Sequence, residues 1–208
     1  ASDVYKRQEH TGATLYNDNQ MFLSEHPTPD EELRRTELIA HETAHMWFGD
    51  LVTMNWFDDV WTKEVFANYF ASRIVEPLYP DVNHRLNFIR DYIPASYSED
   101  RTSGANPIKQ DLDNLRNAGL VYGNIIYDKS PVIMEMLVRV LGEDAFQQGI
   151  REYLTTYAYG NATWEGLIRI LNKYTEEDLA AWSEVWVNQK GMPEITASVK
   201  DGELVVEP

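Results

Sequence analysis

The chain has 208 residues, of which 43% are hydrophobic and 12% aromatic, a composition that supports a buried core and excludes wholesale disorder. Aspartate and glutamate outnumber lysine and arginine by 34 to 18, which argues against a nucleic-acid interface and against docking on an anionic membrane. The absence of cysteine excludes disulfides, cysteine zinc sites and thiol catalysis. No apolar stretch of roughly 18 or more residues occurs, so no transmembrane helix is predicted.

The two ends of the sequence indicate an internal fragment of a longer protein. Residues 1–8 are interpreted as a sequencing scar, because Ser2 to Gln8 resembles the translation of a library-preparation adapter; a natural polar segment is the alternative. Residues 204–208 predict the second strand of a hairpin with nothing after it. We therefore expect a helical domain over 9–191 and the start of a β domain over 192–208.

The first quarter of the sequence predicts an extended segment followed by a long helix. Residues 9–22 suit an edge strand. Thr28 is expected to cap a helix that runs to about Phe48, because a proline and then a glutamate follow at the positions typical of a helix start. Gly49 would end this helix. Its second half, 39–48, is apolar almost all round, which indicates burial on most sides.

The later elements are predicted from cap residues and helix breakers. Further helices are expected over 59–76, 81–93, 130–142, 143–157, 163–174 and 177–189. Pro94 is expected to stop the second of these helices, and 96–116 is expected to form a polar loop. Asp-Gly at 201–202, between two apolar runs, predicts a hairpin with strands over 195–199 and 203–206.

One sequence motif contains candidate metal-binding and catalytic residues. His41-Glu42-Thr43-Ala44-His45 places two histidines four residues apart on the predicted long helix. Side chains at that spacing share a helix face, so both imidazoles can reach one metal ion. Glu42 projects from the adjacent position, close enough to take a proton from water at the metal. The alternative is a buried helix that carries two histidines by chance. Open catalytic zinc sites have three protein ligands, so a third ligand is required.

Glu64 is the candidate third ligand. It follows His45 after 18 residues, a spacing that allows a helix, a loop and an antiparallel helix to bring it back over the histidine pair. Its neighbours in the sequence are apolar, and an unpaired carboxylate among apolar groups is costly. Zinc would supply the missing charge. The alternative is a glutamate that reaches solvent or pairs with an arginine.

With these residues the chain resembles the M1 family of metallo-aminopeptidases, whose zinc motif is His-Glu-x-x-His, then 18 residues, then Glu. Further segments are similar to that family; they are 47–53, 61–67, 106–108, 127–129 and 186–193. The resemblance implies a mainly α fold, in which 9–191 form a thermolysin-like helical catalytic domain with a short N-terminal β segment. It implies that 192–208 begin a β-sandwich domain with its first hairpin. It also implies one zinc ion per chain, held by His41, His45 and Glu64, with Glu42 as the general base.

Two further roles come from the resemblance alone. Tyr127 matches the family tyrosine whose hydroxyl stabilises the oxyanion, and Glu9 matches the glutamate that holds the free amino group of the substrate. Without the resemblance, a core tyrosine and an exposed glutamate would be the first interpretations. The chain departs from the family pattern at His10, where asparagine is usual, and at Val65 and Ser130, where glycine is usual. These departures bear on substrate fit more than on metal binding.

The resemblance implies a zinc-dependent aminopeptidase that hydrolyses the N-terminal residue from peptides with a free amino terminus. A zinc endopeptidase or an epoxide hydrolase on the same core is one alternative, and a non-catalytic pseudo-peptidase module is another. Glu9 discriminates against the first alternative, since an amine anchor favours an exopeptidase. The complete set of zinc ligands, base and tyrosine argues against the second. The sequence leaves open the preferred N-terminal residue, the compartment and the oligomeric state, and inactivity of the isolated fragment is an expected outcome.

Overall fold

The computed structural model describes residues 7–117, 119, 122–192 and 195–207, and helices dominate this part of the chain. The α-helices are α1 (Asp18–Met21), α2 (Pro29–Ala44), α3 (Val60–Val75), α4 (His84–Asp100), α5 (Ser130–Leu141), α6 (Glu143–Tyr157), α7 (Trp164–Leu171) and α8 (Leu179–Ser183). The strands are β1 (Arg7–His10), β2 (Ala13–Tyr16), β3 (Val52–Met54), β4 (Gly160–Ala162), β5 (Thr196–Lys200) and β6 (Glu203–Glu207). The mainly α class with a short N-terminal β segment is confirmed.

Turns of other pitch extend several of these helices. The 3₁₀ turns are Phe57–Asp59, Glu76–Leu78, Leu115–Asn117 and Asn172–Tyr174. The π-helical turns are Ile125–Lys129 and Glu184–Asn188. The first π turn continues directly into α5, which begins at Ser130. Within the described ranges, no helix is both long and apolar enough to cross a lipid bilayer.

Helix α2 begins as predicted and ends earlier than predicted. The Thr28 hydroxyl accepts a hydrogen bond from the Glu31 amide at 3.2 Å, and the Glu31 carboxylate accepts one from the Thr28 amide at 2.7 Å. This reciprocal capping box satisfies two amides that the helix leaves unpaired. The helix ends at Ala44 rather than at Phe48, and Gly49 turns the chain with φ of +136°. The early exit folds residues 45–48 back toward the helix end.

The prediction that Pro94 stops a helix is wrong. Helix α4 runs from His84 to Asp100 and contains Pro94 in its interior. A proline there removes one helical hydrogen bond and crowds the preceding turn, at a cost of about 3 kcal/mol. Contacts with the π turn Ile125–Lys129 offset this cost, because Asp100 is buried and its carboxylate accepts a hydrogen bond from Lys129 at 2.8 Å. Tertiary packing therefore overrides the local signal, and the polar loop begins after Asp100 rather than at residue 96.

The main hydrophobic core fixes helix α3. Trp61, Val65 and Phe66 are almost fully buried, and they lie on both sides of Glu64 in the sequence. The Trp61 ring packs 4.6 Å from that of Trp164 on α7, measured between ring centroids, and the Phe66 ring stacks at 4.6 Å on that of Phe48. Full burial of a large apolar side chain stabilises a fold by about 1.5–3 kcal/mol. Rotation of α3 would forfeit several such contributions, so the direction of the Glu64 side chain is set by the core.

Two hairpins lie at the ends of the described chain. The predicted N-terminal strand 9–22 is instead a hairpin of β1 and β2, followed by the short helix α1. Strand β1 begins at Arg7, inside the segment interpreted as a scar, and residues 1–6 lie outside the described residues. The C-terminal hairpin of β5 and β6 turns at 201–202 with positive φ at both residues, as Asp-Gly predicts. The scar and the β-sandwich assignment stay predictions.

Candidate metal centre

The fold brings together the three residues predicted to bind zinc. His41 and His45 come from the last turn of α2 and its cap, and Glu64 comes from the second turn of α3. The Nε2 atoms of the two histidines lie 3.0 Å apart. Oε2 of Glu64 lies 3.6 Å from Nε2 of His41 and 3.7 Å from Nε2 of His45. All three side chains are buried. The spacing of four residues and the helical return thus produce one compact group of donor atoms.

Hydrogen bonds fix the orientation of both imidazoles. Nδ1 of His45 donates to the carbonyl of Phe48 at 3.0 Å, and Nδ1 of His41 donates to Oδ1 of Asn68 at 2.8 Å. Because a carbonyl or amide oxygen can only accept, each Nδ1 carries the proton and each Nε2 presents its lone pair to the group. Because α2 ends at Ala44, residues 45–48 leave the helix and bring the Phe48 carbonyl within hydrogen-bond distance of His45. Such outer partners are typical of metal-binding histidines.

The donor atoms fit a zinc ion in chemistry and in spacing. Two imidazole nitrogens and one carboxylate oxygen converge on one another, an arrangement that a cation stabilises. A point equidistant from the three atoms lies about 2.0 Å from each, within the range of about 2.0–2.2 Å for zinc bonds to nitrogen and oxygen. Nitrogen and oxygen ligands of this type suit zinc.

Charge at the site favours the ionised form of Glu64. Burial alone would raise the pKa of this carboxyl, but contacts with His41, His45 and Lys63 hold the pKa well below its usual value. Metal ligands must be deprotonated, so Glu64 is ready to coordinate. Burial lowers the pKa of Lys63, but the Glu64 and Glu9 carboxylates raise it by a larger amount. The pKa of Lys63 therefore lies above its usual value. Lys63 is therefore a permanent cation at this site.

Glu42 and Glu9 lie beside His45. Their carboxylate oxygens and a ring nitrogen of His45 lie within 4.8 Å of one another. Glu42 has no exposed surface, whereas Glu9 is partly buried on strand β1. Burial raises the pKa of Glu9, but the Lys63 ammonium lowers it more, so the Glu9 carboxyl is ionised at neutral pH. The structure thus places the predicted base and the predicted amine anchor next to the predicted metal ligands.

A cavity of about 540 Å³ adjoins the site on the His41 side. Its wall includes His41, Asn68, Tyr127 and Asp128. Tyr127 lies in the π turn before α5, and its ring stacks with that of Tyr122 at 6.1 Å between centroids. The predicted oxyanion-stabilising tyrosine and a predicted metal ligand therefore face the same space.

Sequence reasoning missed three residues around the site. Asn68 supports His41, and a signal for it exists, since it follows Glu64 by four residues and therefore shares its helix face. Lys63 contacts both Glu9 and Glu64, but adjacent residues on a helix point in different directions, so its sequence position gives no such signal. Asp128 on the cavity wall depends on the π turn, which no sequence pattern predicted.

Asp128, on the cavity wall, makes the stability of the folded chain depend on pH. Burial, with a smaller contribution from Glu99, raises the pKa of Asp128 to about 6. The folded chain therefore binds this proton more tightly than the unfolded chain, and stability falls as the pH rises from about 4 to about 6. We expect Asp128→Asn to raise the free energy of unfolding at pH 7 by about 1 kcal/mol, a figure reduced because the side chain is partly exposed, and to change it little at pH 4.

Urea unfolding at the two pH values checks the Asp128 prediction. Asp113→Asn, at an exposed aspartate, is the matched control and should leave the unfolding free energy nearly unchanged at both. An equal gain for Asp128→Asn at pH 4 and at pH 7 would contradict the electrostatic explanation.

Two histidines four residues apart, a glutamate beside the first, and a glutamate from the next helix form an arrangement that is typical of metallopeptidases. The chain matches the peptidase family M1 domain over residues 5–186. It therefore belongs to peptidase family M1, and the resemblance seen in its motifs is confirmed.

Several proteins with similar sequences are named as aminopeptidases. The chain is 29% identical to "Probable aminopeptidase 2" of Sulfurisphaera tokodaii, over 98% of this chain and 26% of that protein. It is 34% identical to "Aminopeptidase N" of Lactococcus lactis subsp. lactis, over 95% of this chain and 24% of that protein. It is 31% identical to "Puromycin-sensitive aminopeptidase" of Caenorhabditis elegans, over 91% of this chain and 20% of that protein. The chain thus spans about a quarter of the length of these relatives or less.

Proposed function

We propose that this chain carries the hydrolytic centre of a zinc-dependent aminopeptidase, which removes the N-terminal residue from peptides. The observation that carries the proposal is the convergence of His41, His45 and Glu64 around one point, with Glu42 buried beside them. Membership of peptidase family M1 and the names of the relatives support the same activity.

Each residue has a distinct role in the proposed reaction. A zinc ion held by His41, His45 and Glu64 would supply a Lewis acid that polarises the scissile carbonyl and makes the attacking water more acidic. Glu42 takes the proton from that water and later returns it to the leaving amine. The Tyr127 hydroxyl donates a hydrogen bond to the carbonyl oxygen as negative charge develops on it.

The position of Glu9 explains why cleavage would fall after the first residue. Its carboxylate lies on the His45 side, within 4.8 Å of donor atoms of Glu42 and His45. The cavity is lined by His41 and Tyr127 and adjoins the same group of donor atoms. A peptide whose ammonium group binds Glu9 would therefore direct the rest of its chain into the cavity, with one residue between the anchor and the reacting carbonyl.

A matched pair of substrates tests the exopeptidase proposal. We expect the zinc-loaded chain to hydrolyse an alanine anilide with a free amino group and to leave the N-acetylated anilide intact. Glu9→Gln should lower kcat/KM for the free substrate by roughly 10–150-fold, because a hydrogen bond to a charged group contributes about 1.5–3 kcal/mol. The exposed Glu25→Gln is the control and should retain the wild-type rate. Release of aniline, followed by absorbance, measures all four rates.

Two outcomes would replace the proposed activity. Efficient cleavage of N-blocked, internally quenched peptides would indicate an endopeptidase, since an amine anchor has no role with such substrates. Zinc binding without hydrolysis of either substrate would indicate a non-catalytic member of the family.

A further inference from the structure

Lys63 lies between the proposed amine anchor and a proposed metal ligand. It directly precedes Glu64 on helix α3, and its side chain is only 15% exposed. Its ammonium group is bound to Oε1 of Glu9 and lies 3.2 Å from Oε1 of Glu64. The mechanism described above assigns no role to this lysine.

The two oxygens of Glu64 have different partners. Oε1 faces the Lys63 ammonium, while Oε2 faces both histidine Nε2 atoms at 3.6 and 3.7 Å. A carboxylate with one oxygen in an ion pair with an ammonium group turns less freely about its last bond, so the other oxygen stays directed at the metal position. Outer partners that orient a ligand in this way typically change metal affinity by about 10–100-fold when they are removed.

The charge balance of the site also indicates a role for the Lys63 ammonium group. Three carboxylates, those of Glu9, Glu42 and Glu64, belong to the two overlapping groups of possible metal ligands. Lys63 contacts two of the three. One ammonium and one divalent cation together balance three carboxylates, whereas a divalent cation alone leaves a net negative charge in a buried site. The lysine therefore complements the metal rather than substituting for it.

We propose that Lys63 is a positioning residue that holds Glu64 in its metal-facing orientation and ties the Glu9 carboxylate to the metal centre. This inference rests on the zinc site of the proposed function. The contact uses Oε1 of Glu9, so Oε2 of the same carboxylate can bind the ammonium group of a substrate. Lys63 thereby connects the β1–β2 hairpin, which carries the anchor, to the helix that carries the ligand.

Substitution of Lys63 tests the metal-facing part of the proposal. Lys63→Met keeps a long side chain and removes the charge, and we expect the zinc dissociation constant to rise by roughly 10–100-fold. Lys63→Arg keeps the charge and should lose much less affinity. The control is Lys190→Met, at an exposed lysine, which should match the wild-type chain. Competition with a chromophoric chelator measures the constants, and far-UV circular dichroism checks that each variant is folded. An unchanged dissociation constant for folded Lys63→Met would overturn this part.

A metal-free experiment tests the contact with Glu9 separately. After removal of metal with a chelator, hydrogen exchange of the amides in 9–16 should be faster in Lys63→Met than in the wild-type chain, because the hairpin loses its tie to α3. Equal exchange in the two chains would overturn the proposed tie. If the wild-type chain bound no zinc, the proposed function and the orientation of Glu64 toward metal would both fall, while the exchange rates would still decide the Glu9 contact.

Discussion

Replacing Glu42 with glutamine is expected to lower kcat by roughly 10²–10⁴-fold, the range typical of a lost general base. The glutamine amide has nearly the same shape as the carboxylate but cannot take a proton from water. Glu42 does not belong to the group formed by His41, His45 and Glu64, so zinc content should stay at one ion per chain. Anilide hydrolysis and elemental analysis of the same sample measure the two quantities.

The matched control for this substitution is Glu32→Gln. Glu32 lies on the same helix, and its side chain is exposed and away from the metal donors. This control should keep both zinc and turnover. Near-normal turnover of Glu42→Gln would remove Glu42 as the base, and loss of zinc in that variant would show that Glu42 serves the metal instead.

Replacing Glu64 with alanine is expected to remove zinc from the chain. Zinc binding of about 10–16 kcal/mol is shared among a few ligands, so loss of one should weaken it on the order of 10³-fold. The substitution also leaves the two Nε2 atoms, 3.0 Å apart, without their buried carboxylate partner. Zinc per folded chain, measured after dialysis against a weak chelator, should fall from one to nearly none.

The control for the metal measurement is Glu76→Ala, because Glu76 follows directly after the same helix and is exposed. It should bind zinc as the wild-type chain does. Full zinc content in folded Glu64→Ala would exclude Glu64 as a ligand and leave Glu9, Glu42 and His45 as the other candidate group among the described residues.

The parts of the fold and the site that could be predicted depend on short-range chemistry. Thr28 and Thr163 both cap helices through their hydroxyls, as their sequence context indicates. The pairing of His41 with His45 follows from helical periodicity alone. The approach of Glu64 required only that a second helix return over the first, which α2 and α3 do.

The parts that could not be predicted depend on tertiary contacts. Pro94 should break a helix, yet packing of α4 on the π turn keeps the helix intact around it. Residues 46–48 are apolar and continue the helical pattern, but the chain leaves the helix before them, and a backbone carbonyl becomes the partner of His45. Lys63 reaches a carboxylate 54 positions earlier in the chain, and no local pattern encodes that meeting.

The position of Tyr127 depends on the number of residues in the π turn Ile125–Lys129, as well as on their chemistry. A π turn holds one residue more than an α turn. Its far end is anchored, because buried Lys129 donates to Asp100 at 2.8 Å and to the Gly191 carbonyl at 3.0 Å. Deletion of one residue from the turn would restore α-helical pitch and swing Tyr127 by about 100° around the axis, away from the cavity, while α5 stayed in place. Among related sequences, insertions and deletions should therefore accumulate in the exposed loops and spare these five positions.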